Sequence, residues 1–450
     1  MAERHFFSTF APNIKTTDMP RRHFITAALT ALLLAFTACS DNGDMPDPDD
    51  PNELPWNKDP ESDAARDGLP TLRINTPDGR DIDSKDNYVM KCEALLTRED
   101  GGRDLYGLAA VKGRGNTTWP PPKKPYALHF HSAQSVLGRS KNRSWVLLAN
   151  FHDTTLIRND IAYYMGRTMS RLDFTPDPVF VYLHMNGQYR GIYQICEKIN
   201  VGSNRVQVGD DGFLLEIDSK TEAGEITFPV AHLDPGVQIS IKEPEEITVG
   251  DDNYNYIRDY VTAFEEALFS DDFLDPEKGY AKYIDEDSFV EWYLVNEIAK
   301  NHDAGLWSSC YMSLRRGGKL KMGPLWDFDV AFGGYWPTEE GINVINNPTG
   351  FHIKEASWFR RLFMSPAFVA KVRNRFADYF CNRQLIYDRI DASAALVKPI
   401  IYNENRLYAR LCDPQQPKQV VEERYDVLVK KLKIWIEARM LWLNENIGEL

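Results

Sequence analysis

Asp327 and Asp329 flank Phe328 in the stretch Lys321–Gly334, KMGPLWDFDVAFGG, where most other residues are apolar or small. Burying an ionised carboxylate without a partner costs several kcal/mol, so carboxylates in such a setting hold a metal ion or a fixed cation. The competing reading is a buried turn whose Asp side chains accept backbone N–H groups. A companion segment, Asn301–Tyr311 (NHDAGLWSSCY), places Asp303 directly after an Asn-His pair. Together the two segments suit a divalent-metal phosphate site. A third stretch, Val111–Phe130 (VKGRGNTTWPPPKKPYALHF), brackets Arg114 between Gly113 and Gly115 and ends in Lys123 and Lys124. Strand, glycine loop and basic second strand fit phosphate binding, although Gly with Arg and Lys also marks many surface hairpins.

Alternation and turn residues predict the elements that must position these groups. Strands are expected at Thr71–Asn75, Asn87–Leu96, Leu105–Arg114 and Tyr126–Phe130, and Trp145–Asn150 reads as a buried strand or turn. Asp153 is the expected N-cap of a helix through Arg167. Phe180–Met185 and Gly191–Cys196 read as a hairpin around Asn186-Gly187, and Asp211–Asp218 as a further strand. The second half turns helical, at Tyr254–Phe269, Asp287–Ala299, Ser357–Phe380, Gln384–Arg410 and Gln419–Asn446. In the last, Tyr425, Leu428, Leu432, Ile434 and Trp435 are expected to form a core-facing stripe. A hairpin, Ser309–Leu314 with Lys319–Met322, turns at Gly317-Gly318. The expected fold class is α+β, with a sheet-rich N-terminal half, a helix-rich C-terminal half and a cleft between them.

A helix, an Asp-bearing loop, a hairpin and a second Asp follow one another as they do in a protein-kinase catalytic lobe. The chain also resembles the spore-coat-protein H (CotH) kinase family from about Arg73 to Leu450. The resemblance rests on Lys112–Trp119 (KGRGNTTW) with Lys123–Tyr126, and on Trp145–Asn150 with Asp153 and Arg158-Asn159. It continues through the glycine and tyrosine pattern Asn186–Tyr193 with Glu197-Lys198, then Glu297, Lys300, Asn301 and Asp303, and finally Gly323–Gly333. It implies an atypical protein-kinase-like two-lobe fold that uses Mg²⁺ (or Mn²⁺) and ATP to phosphorylate Ser or Thr of a protein. On the matching motifs Asp303 becomes the catalytic Asp and Asp327 the first metal ligand, with Asp329 a second ligand or an orienting group. Arg114 and Lys124 become the phosphate contacts, with Lys123 and Lys112 as rivals. Ile195–Lys198 takes the place of a nucleotide hinge, and Glu197 and Lys198 become nucleotide-binding residues or, alternatively, an ion pair. Kinase loops carry Asn five residues after the catalytic Asp. Here that residue is Ser308, a weaker metal ligand, which leaves open a second reading: a binding or adhesion module for protein or glycan that keeps the fold without turnover.

The 450 residues, 43% of them apolar, can bury a large core, and the net charge of -14 argues against a nucleic-acid partner. Met19–Cys39 reads as a signal: Arg21 and Arg22, an apolar run from Phe24 to Ala38, then Cys39 at a small-residue cleavage site. Cysteine at the cut site resembles a bacterial lipoprotein box and implies a lipid on Cys39. The acidic residues just after it resemble the signals that send some Bacteroidetes-type lipoproteins to the cell surface, which implies an outer-membrane, surface-facing location in the cell envelope. Residues 1–39 are therefore expected to be a signal peptide whose natural start is Met1 or Met19. Residues 40–68, rich in Asp and Pro, are expected to be an extended tether, and residues 69–450 the catalytic unit. The other five cysteines lack metal-ligand spacing.

Overall fold

The computed structural model describes residues 68–222, 224–334 and 346–450. The signal segment, Cys39 and the tether through residue 67 lie outside the described residues. Seven strands form a barrel: β1 (Thr71–Asn75), β2 (Val89–Thr97), β3 (Arg103–Gly113), β4 (Tyr126–Gln134), β5 (Asn142–Leu148), β6 (Val179–Met185) and β7 (Gln188–Glu197). Their order is β1-β2-β3-β4-β5-β7-β6, antiparallel throughout except where β1 closes the ring by running parallel to β6, with Leu72 beside Leu183. Local pattern predicted antiparallel strands but not this closure, which joins strands far apart in sequence and removes the exposed edges.

Successive side chains on a strand point to opposite faces, and β5, β6 and β7 bury both. Trp145, Leu147, Val181, Leu183, Tyr193 and Ile195 fill the barrel interior. Their neighbours Val146, Leu148, Phe180, Tyr182, Ile192 and Cys196 face a second, larger core. That core is shared with helix α1 (Arg158–Thr168) and with the C-terminal half. The helix starts later than the Asp153 cap predicted. The Asp153 carboxylate accepts the N–H groups of Thr155 (2.8 Å) and of Arg158 (2.8 Å), the first helical residue. It therefore ties down the helix start from five residues upstream, across an intervening turn, rather than from the N-cap position, which Ile157 occupies.

A second sheet, ordered β12-β11-β8-β10-β9, contains β8 (Phe213–Asp218), β9 (Thr227–Phe228), β10 (Gln238–Glu243), β11 (Cys310–Leu314) and β12 (Lys321–Met322). It takes strands from both halves of the chain. Antiparallel pairing of β11 with β8 sets Cys310 opposite Ile217, so the residues just before Cys310 fall beside Asp218.

The remaining helices are α2 (Asp252–Phe269), α3 (Glu286–Ala299), α4 (Ser357–Leu362), α5 (Pro366–Cys381), α6 (Gln384–Val397), α7 (Ile401–Tyr408) and α8 (Lys418–Asn446). Two long helices of the sequence reading are each broken at a proline. Ser365 caps α5 by accepting the Phe368 N–H, with Pro366 in its first turn, and Pro399 separates α6 from α7. The apolar stripe of α8 also differs from expectation. Tyr425, Leu432 and Ile436 are buried, but Ile434 is 55% exposed, because nine residues of helix turn it about 180° from Tyr425. The described cysteines, Cys92, Cys196, Cys310, Cys381 and Cys412, are free thiols. No described helix is long and apolar enough to cross a membrane. Mixed sheet and helix content fits the α+β class; the closed seven-strand barrel is an addition to it.

Candidate active site

Helix α3 ends at Lys300, whose left-handed conformation (φ 46°) turns the chain while its N–H reaches back to Asn296 and Glu297. The next residues, Asn301 to Ser309, form a tight loop. The Asp303 carbonyl accepts the Trp307 and Ser308 N–H groups, both at 3.1 Å, and Leu306 and Ser309 adopt positive φ. Residues held in this sparsely populated region cost energy that the surroundings must offset, and they cluster at functional sites.

The strand β12 leads through Gly323-Pro324 to Trp326 and Asp327, and Asp327 also has a positive φ of 63°. A buried amide network holds this segment. Gln194 on β7 accepts from Asn150 (2.7 Å), Asn150 accepts from Asn159 (2.9 Å), and Asn159 accepts the Phe328 N–H (2.8 Å). The Asp327 N–H reaches the Tyr163 hydroxyl, and Asn301 Nδ2 donates to the Asp327 carbonyl at 3.2 Å. Arg158, paired with Asp153, donates Nε to the Ala331 carbonyl (2.9 Å), and the Phe332 N–H bonds Ala299 at the end of α3. The Trp145–Asn150 and Arg158-Asn159 motifs thus serve to hold the Asp327–Asp329 turn against α3.

Four carboxylates share this region. Burial, then Asp327 and Asp218, push Asp303 up to about 7, with Lys220 the cation opposing them. Asp327 is raised by burial, against the pull of the Arg114 guanidinium, His152 and a hydrogen bond from Ser309. Asp329 is raised well above the carboxylate range by burial and by Asp327, Asp153 and Asp303. Asp218 is raised by burial while accepting from Ser308 Oγ (2.7 Å) and the Lys220 N–H (3.0 Å). Among the described residues no three His, Cys, Asp or Glu side chains converge closely enough to hold a metal ion. As a donor set, however, these all-oxygen groups carry more negative charge than their cations balance, which is the chemistry a hard divalent cation takes.

The basic residues divide. Arg114 lies over the Trp326 ring (5.3 Å) within electrostatic reach of Asp327. Its loop is rigid: a Cβ on Gly113 would strike the Trp119 indole at 2.2 Å, and the Arg114 N–H bonds the Pro125 carbonyl. Lys124 clasps that loop instead of facing the acids, donating to the Trp119 carbonyl at 2.7 Å and lying over its ring. This removes Lys124 from the phosphate contact expected of it. Lys112 lies over the Tyr88 ring. Lys123 is fully buried, bonded to Glu404 (2.6 Å) and to the Ile192 carbonyl (2.6 Å). Glu197 accepts the Asp177 N–H at 2.8 Å, so one oxygen of its carboxylate braces the entry to β6. Lys198 is exposed just past β7, in the field of Glu245, Glu243 and Arg114.

Three residues at the site escaped the sequence reading. Asp218 and Lys220 come from β8 and the turn after it, with no motif to mark them. Glu404, from α7, bonds the Ile192 N–H (2.9 Å), and its only trace in sequence is Gly191, where a Cβ would meet the Glu404 carboxylate at 2.4 Å.

No curated protein matches the chain. The motifs around Arg114, Asp303 and Asp327 all fall within residues 111–443, which the family model described as CotH kinase protein matches, and the chain belongs to the CotH kinase family.

Proposed function

We propose that the protein is a kinase-like phosphotransferase that transfers the γ-phosphoryl group of ATP to Ser or Thr of an extracytoplasmic protein. The observation that carries this reading is the gathering of Asp303, Asp327 and Asp329 beside the fixed cation Arg114, in a family that is kinase-related. On this reading the barrel with its Arg114 loop forms one lobe and the helical half the other. Mg²⁺ or Mn²⁺ bound by Asp327 and Asp329 would neutralise phosphate charge. Arg114 adds a fixed positive charge to the phosphates, Asp303 accepts the proton of the acceptor hydroxyl, and the Asn150–Asn159 network holds Asp327 in place. Lys198, at the strand end, is assigned to the nucleotide's edge.

One observation favours the second reading, a surface module that binds without turnover. Ser308 stands where kinase loops carry Asn, and its hydroxyl is already committed to Asp218. Calorimetric titration of the purified protein with ATP and Mg²⁺ decides the first point. Asp327→Ala is expected to abolish binding and Arg114→Met to weaken it about tenfold or more, the worth of a charge-assisted hydrogen bond. Lys124→Met is expected to stay within about twofold. Binding indifferent to Asp327 sinks the nucleotide site; binding without phosphorylation of the protein or added acceptors leaves the second reading standing.

The location proposed with this function is the outer membrane, reached through a lipid on Cys39. Palmitate labelling in cells is expected to mark the protein and to vanish in Cys39→Ala; unlabelled protein refutes the anchor.

A further inference from the structure

Helix α8 buries one face against the core, and no other described element covers the opposite face. Val427, Ile434 and Leu441 are 52%, 55% and 45% exposed and recur every seventh residue. Single exposed apolar side chains are ordinary on protein surfaces. Three at heptad spacing along one line of a 29-residue helix supply one of the two positions per heptad by which helices pair, with Lys430 and Glu437 at the other. Beside it, Ala394 and Ala395 of α6 keep the neighbouring helix surface low and leave a groove next to Ile434.

We propose that this face binds a second copy of the chain, with the two α8 helices antiparallel about a two-fold axis at Ile434. The charges select this arrangement. Antiparallel pairing centred on Ile434 sets Val427 against Leu441 of the second copy. It also brings Lys430 to the level and side of Glu437, and Arg424 to those of Glu445. All four of these charged residues are exposed, and none forms an ion pair with another described residue. The other charges along the groove are already spent within the chain, as Lys433–Asp391 and Lys398–Asp426. The surface is thus complementary to itself in both apolar contact and charge, as a closed two-fold interface requires. One helix pair with a small flank falls at the low end of interface sizes, so a dissociation constant of about 1–100 μM is expected.

Sedimentation equilibrium of the full chain over that concentration range tests the proposal. Ile434→Glu is expected to weaken association at least about tenfold, with an unchanged melting temperature at concentrations below the dissociation constant, where both chains are monomers and the side chain is exposed. Lys430→Glu is expected to weaken it, and Lys430→Glu with Glu437→Lys to restore it. In a Cys381→Ser background, oxidation is expected to cross-link Ile434→Cys with itself. Val427→Cys should cross-link to Leu441→Cys but not to itself. A chain monomeric throughout, an Ile434→Glu variant that associates as before, or a charge swap that fails to restore association would overturn it; self-cross-linking of Val427→Cys would replace antiparallel by parallel pairing and overturn it equally.

Discussion

Asp303→Asn is expected to lower phosphoryl transfer roughly 10³-fold, the span of a positioned general base, while leaving nucleotide affinity nearly unchanged. The asparagine keeps the loop geometry, because the structural bonds at this position run through the Asp303 carbonyl to Trp307 and Ser308 rather than through the carboxylate. Proton acceptance needs the ionised form, and burial with Asp327 and Asp218 pushes the group up to about 7. That value is reached without metal, and a divalent cation at Asp327 and Asp329 would lower it, so the rate should rise with pH to a plateau reached below about 7, and the Asn variant should lose that limb. Stability provides a check that does not depend on turnover. The unfolded carboxyl titrates near 3.8 and the folded one near 7. Between these values the metal-free folded protein keeps a proton that the unfolded chain releases, so stability falls as pH rises through that window. Asp303→Asn should flatten this fall, read as the melting temperature across pH 5–8 without metal, while a pH-independent melting temperature in the unsubstituted protein would remove the argument.

The second large effect lies at the seam between barrel and helices. Lys123 and Glu404 are both buried, at 0% and 2% exposure, and burial lowers the Lys123 ammonium while Glu404 opposes that shift. Lys123→Met leaves Glu404 as a buried charge without its cation and is expected to cost about 3–5 kcal/mol, measured by urea unfolding. Adding Glu404→Gln should recover most of the loss, because the amide oxygen still accepts the Ile192 N–H and the stranded charge is gone. A single variant as stable as the parent would show that the pair is not buried in solution. The same lysine anchors the base of the loop that carries Arg114, so the unfolding cost and a loss of nucleotide affinity are expected to move together.

Much of the candidate site is legible in the sequence. The Asp-Phe-Asp segment stood out because carboxylates in an apolar run need a reason, and the helix–loop–hairpin order placed Asp303 ahead of it. Glycine spacing marked Gly113 correctly, where an indole leaves no room for a side chain, but could not tell Lys123 from Lys124. Adjacent residues on an extended chain point opposite ways, and only the packed structure shows that one ammonium enters the interior and the other returns to its own loop. Periodicity likewise predicts α8 but sets Ile434 with the core, although nine residues of helix turn it to the face opposite Tyr425.

By itself, then, the sequence determined the local elements, the α+β class and the acidic segments, because each depends on residues within about one turn or one strand of each other. Tertiary structure decided the barrel closure, the Lys123–Glu404 pair and the arrival of Asp218 beside Ser308. Each joins groups far apart along the chain, and such contacts are set by how whole faces pack, which no local pattern of residues encodes.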